Sequence, residues 1–372
     1  GLATARLVRG YQMESLEEQK FQKLIDDYHQ RRSEVAETSR WTLRIGAGIG
    51  LILSLIVLVV LETKMAQSSS REFALPKAIT LVALVGGISL LIKDLGSVKE
   101  CLKECREIAG EVNEFLDLKP QVGQAVGAKF LPPVEKSIYF ESVNYIEPNK
   151  EVPLLKNLDL KIKAGETVAL ISLERNLSRC VAWMMPRLVE PQSGRILFDG
   201  DDIAWGTLES IRAETLIASA DDPLLNGTVL ENLTGGSSEY SLQQTTDAAK
   251  LAHAHNFISK LPQGYETNLG VYGHPLNESE RYLLSLARAA LRNPAVLILE
   301  EPSHALADDV KNLLDDSYAR LFPNRTVVIL PGRLSTVKKA DRIFLLSGGR
   351  VHAVGTHATL VQNEGLYRHW EY

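Results

Sequence analysis

The sequence predicts an α-helical membrane hairpin followed by an α/β domain with a mainly parallel sheet. Three observations predict it. Two long apolar runs stand close together in the first hundred residues. From residue 138 onward, short β-branched runs alternate with helical segments, the pattern of a parallel sheet. Between the two regions, QVGQAVGAKFLPP (121–133) carries the Gly, Ala and Pro punctuation of a linker. The domains are therefore expected at 1–120, 121–133 (the linker) and 134–372, and 372 residues exceed one ordinary domain.

Composition narrows the function classes. A hydrophobic fraction of 45% with 23% charged residues excludes a wholly disordered chain. Three cysteines exclude a disulfide-stapled scaffold. A net charge of -5 leaves no basic excess for non-specific nucleic-acid binding, so no nucleic-acid partner is expected. The chain opens with Gly1, which suggests a processed chain or part of a longer protein.

Residues 1–40 carry seven charges of each sign, with Tyr11, Met13, Leu16, Phe21, Leu24, Ile25 and Tyr28 at roughly helical spacing. No Gly or Pro interrupts 11–45, so one long polar-faced helix is expected there. Ile45 to Leu61 is then seventeen uncharged residues. At the helical rise that run is about 26 Å, near the lower limit for crossing a bilayer. Ala78 to Ile92 is a second run of fifteen, bounded by Lys77 and Lys93. Snorkelling of Arg44 and of these lysines extends the two spans to about 42–62 and 77–93. Eight Lys/Arg residues flank the outer ends of the pair and three lie in the loop between. That asymmetry puts both ends in the cytoplasm. Gly46, Gly50, Gly86 and Gly87 allow close helix approach in lipid. The competing reading is a pair of buried helices in a soluble protein. Cys101 and Cys105 share a helix face, but no nearby His or Cys completes a metal set, so packing residues are expected.

In the last 240 residues, ETVALI (166–171), AVLILE (295–300), RTVVIL (325–330) and DRIFLL (341–346) are the expected strands. KAGETVAL (163–170), EPQSGRILFDGDDI (190–203), NGTVLENL (226–233), LPQGYETNLGVYG (261–273), LLSLARAALRNPAVLILEEPSHAL (283–306) and RLSTVKKADRIFLLSGGRVHAVGTHATLV (333–361) follow in a fixed order. Together they resemble the nucleotide-binding domain of an ATP-binding cassette (ABC) exporter, an α/β P-loop NTPase-like fold. The first 130 residues are similar to such an exporter from its fifth transmembrane helix onward. The resemblance implies ATP and Mg²⁺ as cofactors. It also implies an inner- or plasma-membrane location with the cassette in the cytoplasm, membrane lipid as surroundings, and a homo- or heterodimer with an exporter subunit.

The motif positions depart from that family. A phosphate loop needs glycines that turn N–H groups toward phosphates, a Lys for the β/γ oxygens and a Ser/Thr for Mg²⁺. SLERNLSRC stands there (172–180). Its first residue is Ser172. Ser178 falls at the lysine position, Arg179 at the magnesium-hydroxyl position, and Cys180 follows. Glu174 brings a carboxylate that Arg175 and Arg179 are placed to offset. The simplest reading is a surface turn between strand and helix that grips nothing. LNESE (276–280) replaces the signature loop; Asn277 could stand in for a hydroxyl donor, but Glu278 and Glu280 bring negative charge to an anion site, and an N-cap at Asn277 explains the segment without ATP. Glu300 takes the position of the magnesium-side Asp, and Glu301 that of the general base for the attacking water. The switch-histidine position is Gly332. The glutamine-loop position is Ala220, with Asp221 or Asp222 one register step away. Tyr145 is two residues from the adenine-stacking position at Glu147.

Three functions follow. The first is an ABC-exporter subunit whose cassette is a pseudo-ATPase with a structural or regulatory role. The second is a membrane-anchored interaction scaffold with no transport. The third is a transporter in which other residues still bind and hydrolyse ATP.

Overall fold

The computed structural model describes residues 122–371, except 149, 271–272 and 303–307, together with scattered helical positions between 18 and 113. Contacts divide the chain into one unit of residues 20–120 and a second of residues 1–19 and 121–372. Both predicted spans, apart from the helical Thr80, and most of the predicted 11–45 helix lie outside the described residues. Among the described residues, no helix is long and apolar enough to cross a membrane. Cys101 is also outside them. Cys105 is exposed and so does not pack in the way its spacing suggested.

Among the described residues, the second unit holds two large sheets and a two-stranded one. β1 (Ser137–Ile146), β2 (Pro153–Lys163), β4 (Ser193–Phe198) and β5 (Asp201–Asp202) form an antiparallel sheet ordered β2-β1-β4-β5. A six-stranded sheet is ordered β12-β11-β3-β10-β9-β6. Its parallel members are β3 (Thr167–Ser172), β6 (Thr215–Ser219), β9 (Val296–Glu300), β10 (Thr326–Leu330) and β11 (Arg342–Ser347). β12 (Arg350–Gly355) closes one edge in antiparallel sense. The small pair β7 (Gly227–Thr228) and β8 (Asn268–Leu269) stands apart.

The continuous apolar runs of the parallel strands are buried on both faces, and the two-residue period of a strand splits them between two cores. Val296, Ile298, Val328 and Leu330 face the antiparallel sheet and join Ile138, Phe140, Ile162 and Leu177. Leu297, Leu299, Val327 and Ile329 face the other way, into a helical layer. That layer contains α3 (Val229–Thr234), α4 (Leu242–Leu251), α6 (Glu278–Arg292) and α7 (Asp308–Leu321), with the short α5 (His255–Ile258) nearby. Ala169 and Ile171 pack in a third cluster with Leu360 and Tyr367 of the last two helices, α9 (His357–Asn363) and α10 (Gly365–Glu371). Two further helices, α2 (Leu208–Glu214) and α8 (Leu334–Val337), bury Ile211 and Val337 in these cores.

Residues 122–131, expected as linker, run along this domain. The Leu131 N–H donates to Ser210 Oγ at 3.1 Å, and Lys129 bridges to Gly206. Val122 and Leu131 are buried.

Candidate functional site

In an open parallel sheet, ligands bind at the carboxyl ends of the strands. β9 lies between β10 and the edge strand β6, and its last residue, Glu300, pairs in register with Leu330 on one side and Ser219 on the other. Glu300, Glu301 and the segment after β3 therefore converge at one end of the sheet.

The segment after β3 differs from the expected surface turn. Only Leu173 and Glu174 separate the strand from α1 (Arg175–Met184). Residues 175–178 are thus the first turn of a helix. None of residues 172–180 has a positive φ. With no glycine, the chain has no inexpensive route to a left-handed loop and enters the helix at once. Ser178 and Cys180 are buried on the inner face of α1. Ser178 Oγ donates back to the Arg175 carbonyl at 3.2 Å. Burial, reinforced by Glu147, pushes the Cys180 thiol up to about 12, so it is a neutral packing group. Ser172 Oγ accepts from the Glu174 N–H at 3.1 Å.

The two arginines expected to offset Glu174 turn instead toward the acids beyond β9. Arg179 hydrogen-bonds Glu300 Oε1, and its Nη2 meets Asp221 Oδ2 at 2.9 Å. The reason is burial: Glu300 is 2% exposed and needs a counter-charge more than the solvated Glu174 does. Arg175 Nη2 donates to the Glu301 carbonyl at 3.3 Å and lies 3.9 Å from Glu300 Oε1. Of the three residues weighed for the glutamine-loop role, Asp221 reaches this cluster. Ala220 is buried in the helical core, and Asp222 accepts from Ser285 Oγ at 3.1 Å.

Glu301 is held from several directions. Its Oε1 accepts from Tyr318 Oη at 3.0 Å, Arg333 Nη2 at 2.9 Å and Thr336 Oγ1 at 2.7 Å. Its Oε2 accepts from the Gly332 N–H at 2.9 Å. Arg333 is also near Asp315, which Lys339 contacts at 3.0 Å. Burial alone would lower the Arg333 pKa, but the Glu301 carboxylate beside it raises it, so the guanidinium stays charged. Gly332 is needed for this geometry, because a Cβ there would collide with the Pro302 carbonyl oxygen.

Asn277 adopts the N-cap reading. Its Oδ1 accepts from the Glu280 N–H, and Glu280 Oε2 accepts from the Asn277 N–H, both at 2.9 Å. This reciprocal pair is a capping box for α6. Tyr145 is 8% exposed and, with Glu147, Cys180 and Trp183, lines a recess of about 370 Å³ beside Arg179. A second recess of about 290 Å³ lies between Ser172, Arg175, Ser178, Glu301, Gly332 and Trp370.

The structure thus gathers Ser172, Arg175, Ser178, Arg179, Glu300, Glu301 and Gly332 at one end of the sheet, with Tyr145 and Cys180 at its side. Nothing described links Asn277 or Ala220 to that cluster by a hydrogen bond or ion pair. Sequence reasoning missed Arg333, Thr336 and Tyr318. Arg333 was signalled only by being a cation directly after Gly332.

A parallel sheet with acids at its strand ends and a helix leaving the first of those strands defines an α/β domain of the P-loop NTPase class. Residues 180–304 match the family described as ABC transporter, and the chain belongs to that family. An ATP-dependent lipid A-core flippase of Chromobacterium violaceum is 34% identical over 281 residues, which are 76% of this chain and 48% of that protein. A putative multidrug export ATP-binding/permease protein of Staphylococcus aureus is 29% identical over 368 residues, 98% of this chain and 62% of its own length. A solved bacterial Atm1-family ABC exporter with ATP bound superposes with a TM-score of 0.68 at 26% identity, covering 99% of this chain and 64% of that one. The chain spans about half the length of the flippase relatives it matches.

Proposed function

We propose that the chain is a membrane-embedded subunit, or part of one, of an ABC exporter, and that its cassette is a pseudo-ATPase acting structurally or in regulation. The names of its relatives support the exporter assignment, and in that setting its partner is a second exporter subunit, identical or different. One observation carries the pseudo-ATPase reading. Glu301, which stands where the general base belongs, already accepts hydrogen bonds from Tyr318, Arg333, Thr336 and the Gly332 N–H. A base must have a lone pair within reach of the water it deprotonates. This carboxylate is committed to a guanidinium, two hydroxyls and an amide. Its role is that of a buried anion joining β9 to the 332–336 segment.

The phosphate side supports the same reading. The lysine position is Ser178, a buried hydroxyl that donates to the Arg175 carbonyl and brings no positive charge. Each charge-assisted phosphate contact contributes roughly 1.5–3 kcal/mol, so losing several together removes most of the affinity.

The test is ATP hydrolysis and labelled-ATP binding by the full chain in detergent or nanodiscs, alone and with candidate exporter subunits. Turnover at background and binding weaker than about 100 µM, roughly 5.5 kcal/mol, are expected. Brisk turnover that disappears on Glu301→Gln would refute the reading and favour a working transporter. Silence of the chain in every transport assay, with stable capture of a non-transporter partner, would favour the membrane-anchored scaffold.

A further inference from the structure

The divalent ion that accompanies ATP in the family does not fit the residues present, and the misfit has a definite structural form. We infer that the Arg179 guanidinium is the resident cation of this site and excludes a divalent metal ion from the two carboxylates it bridges. Glu300 sits at the carboxyl end of β9, an interior strand of the sheet, and is 2% exposed. A carboxylate so deep must be neutralised or paired. Arg179, one turn into α1, supplies that charge and at the same time engages Asp221 beyond the end of β6. Arg175 stands 3.9 Å from the same Glu300 oxygen.

Hard divalent cations take oxygen ligands. Residue 179, where the family resemblance places the magnesium hydroxyl, presents nitrogen donors to Glu300 and Asp221 instead. A dication placed between the acids would also sit in contact with a fixed positive charge. Glu300 Oε2 is buried and accepts no hydrogen bond from the described residues, so the acid retains acceptor capacity that the guanidinium does not use. Residue 179 therefore decides whether the acids hold a tethered cation or a free one. This holds whether or not a nucleotide binds, because the competition is between a side chain and an ion.

The experiment uses the full chain in detergent, without nucleotide, and follows Mn²⁺ binding through loss of the free-ion electron paramagnetic resonance signal. The unsubstituted chain is expected to show no saturable site at these acids. Arg179→Ser removes the guanidinium and adds a hydroxyl. It is expected to gain one site per chain, at least about tenfold tighter than any binding by the unsubstituted protein, or ~1.4 kcal/mol. Arg179→Ser combined with Asp221→Asn is expected to lose most of that gain. If Arg179→Ser does not fold, Arg179→Gln, which keeps the length and loses the charge, takes its place. A manganese site in the unsubstituted chain that Asp221→Asn weakens overturns the inference, and so does a folded position-179 variant with no added site. Because nucleotide is absent, ATP turnover in a separate assay would defeat the functional reading above and leave this result standing.

Discussion

The phenolic oxygens of Tyr282 and Tyr318 lie 2.7 Å apart in the interior of the domain, and the direction of their hydrogen bond is fixed. Tyr318 donates to the Glu301 carboxylate, which can only accept while ionised, so Tyr282 must donate to Tyr318. The result is a polarised relay from the second turn of α6, through α7, to the residue that follows β9. Burial raises both phenols well above their ordinary pKa, so neither ionises in the folded protein at neutral pH.

The relay makes the two tyrosines unequal. Tyr318→Phe leaves the Tyr282 hydroxyl without its acceptor and removes a donor from Glu301, two losses among buried groups. A destabilisation of about 2–3 kcal/mol is expected. Tyr282→Phe removes only the terminal donor and is expected to cost about 1 kcal/mol. Urea unfolding of the full chain in detergent measures both. Equal costs would show that the hydroxyls do not act in series.

Glu301→Gln separates a structural anion from a catalytic base. The amide leaves Arg333, 11% exposed at its side chain, without its buried counter-charge. Breaking such a pair costs about 3 kcal/mol. The expected outcome is a lower unfolding midpoint with no change in ATPase rate. A stable variant with altered turnover would mean the opposite assignment.

Restoring a histidine at position 332 is not expected to restore a switch. Any side chain there meets the Pro302 carbonyl oxygen, so the backbone must move and the Gly332 N–H is drawn away from Glu301. Gly332→Ala alone is expected to destabilise by about 1–3 kcal/mol. The check is the same unfolding experiment, with Gly348→Ala, whose Cβ meets open space, as the companion for a strained but uncrowded glycine.

Asp199 gives a pH signature outside the candidate site. Burial pushes its carboxyl up, but the N–H groups of Glu135, Ser137 and Lys136, with the Lys136 charge, hold it below the usual carboxylate value. A depressed folded-state pKa contributes stability that is complete above the unfolded value near ~3.9 and is lost as pH falls through the folded one. Asp199→Asn keeps a residue tolerant of the left-handed backbone at this position, φ 55°, but removes the titration. The stability gap between the two proteins is expected to be constant above about pH 5 and to close below about pH 4. A gap unchanged down to acid unfolding would contradict it.

Much of the fold was legible because its strands are continuous apolar runs. AVLILE and RTVVIL became Val296–Glu300 and Thr326–Leu330. The Asn277 cap was legible too, since a capping box is a local pattern of four residues. The departure of 172–180 from a phosphate loop could be read from composition. The early start of α1 could not, because it depends on what the flanking strand and the buried Leu177 leave possible. The partners of Arg179 and Glu301 were also hidden. They lie 121 and 42 residues from Arg179, and 17 to 35 residues from Glu301 among the side-chain donors. One sequence carries no signal at such separations. Tyr282 and Tyr318 sit on the buried faces of helices and look like ordinary core residues until their hydroxyls are placed.

The helical onset at Arg175 bears on how readily this domain could accommodate a phosphate loop. A glycine placed in that turn weakens the helix by roughly 1 kcal/mol compared with alanine, before any loop has formed to repay it. A lysine at 178 would have to leave a buried face, and Arg179 would have to release two acids in the same event. Positions 175, 178 and 179 are thus tied into one cluster, and a phosphate loop here would call for concerted changes rather than separate ones.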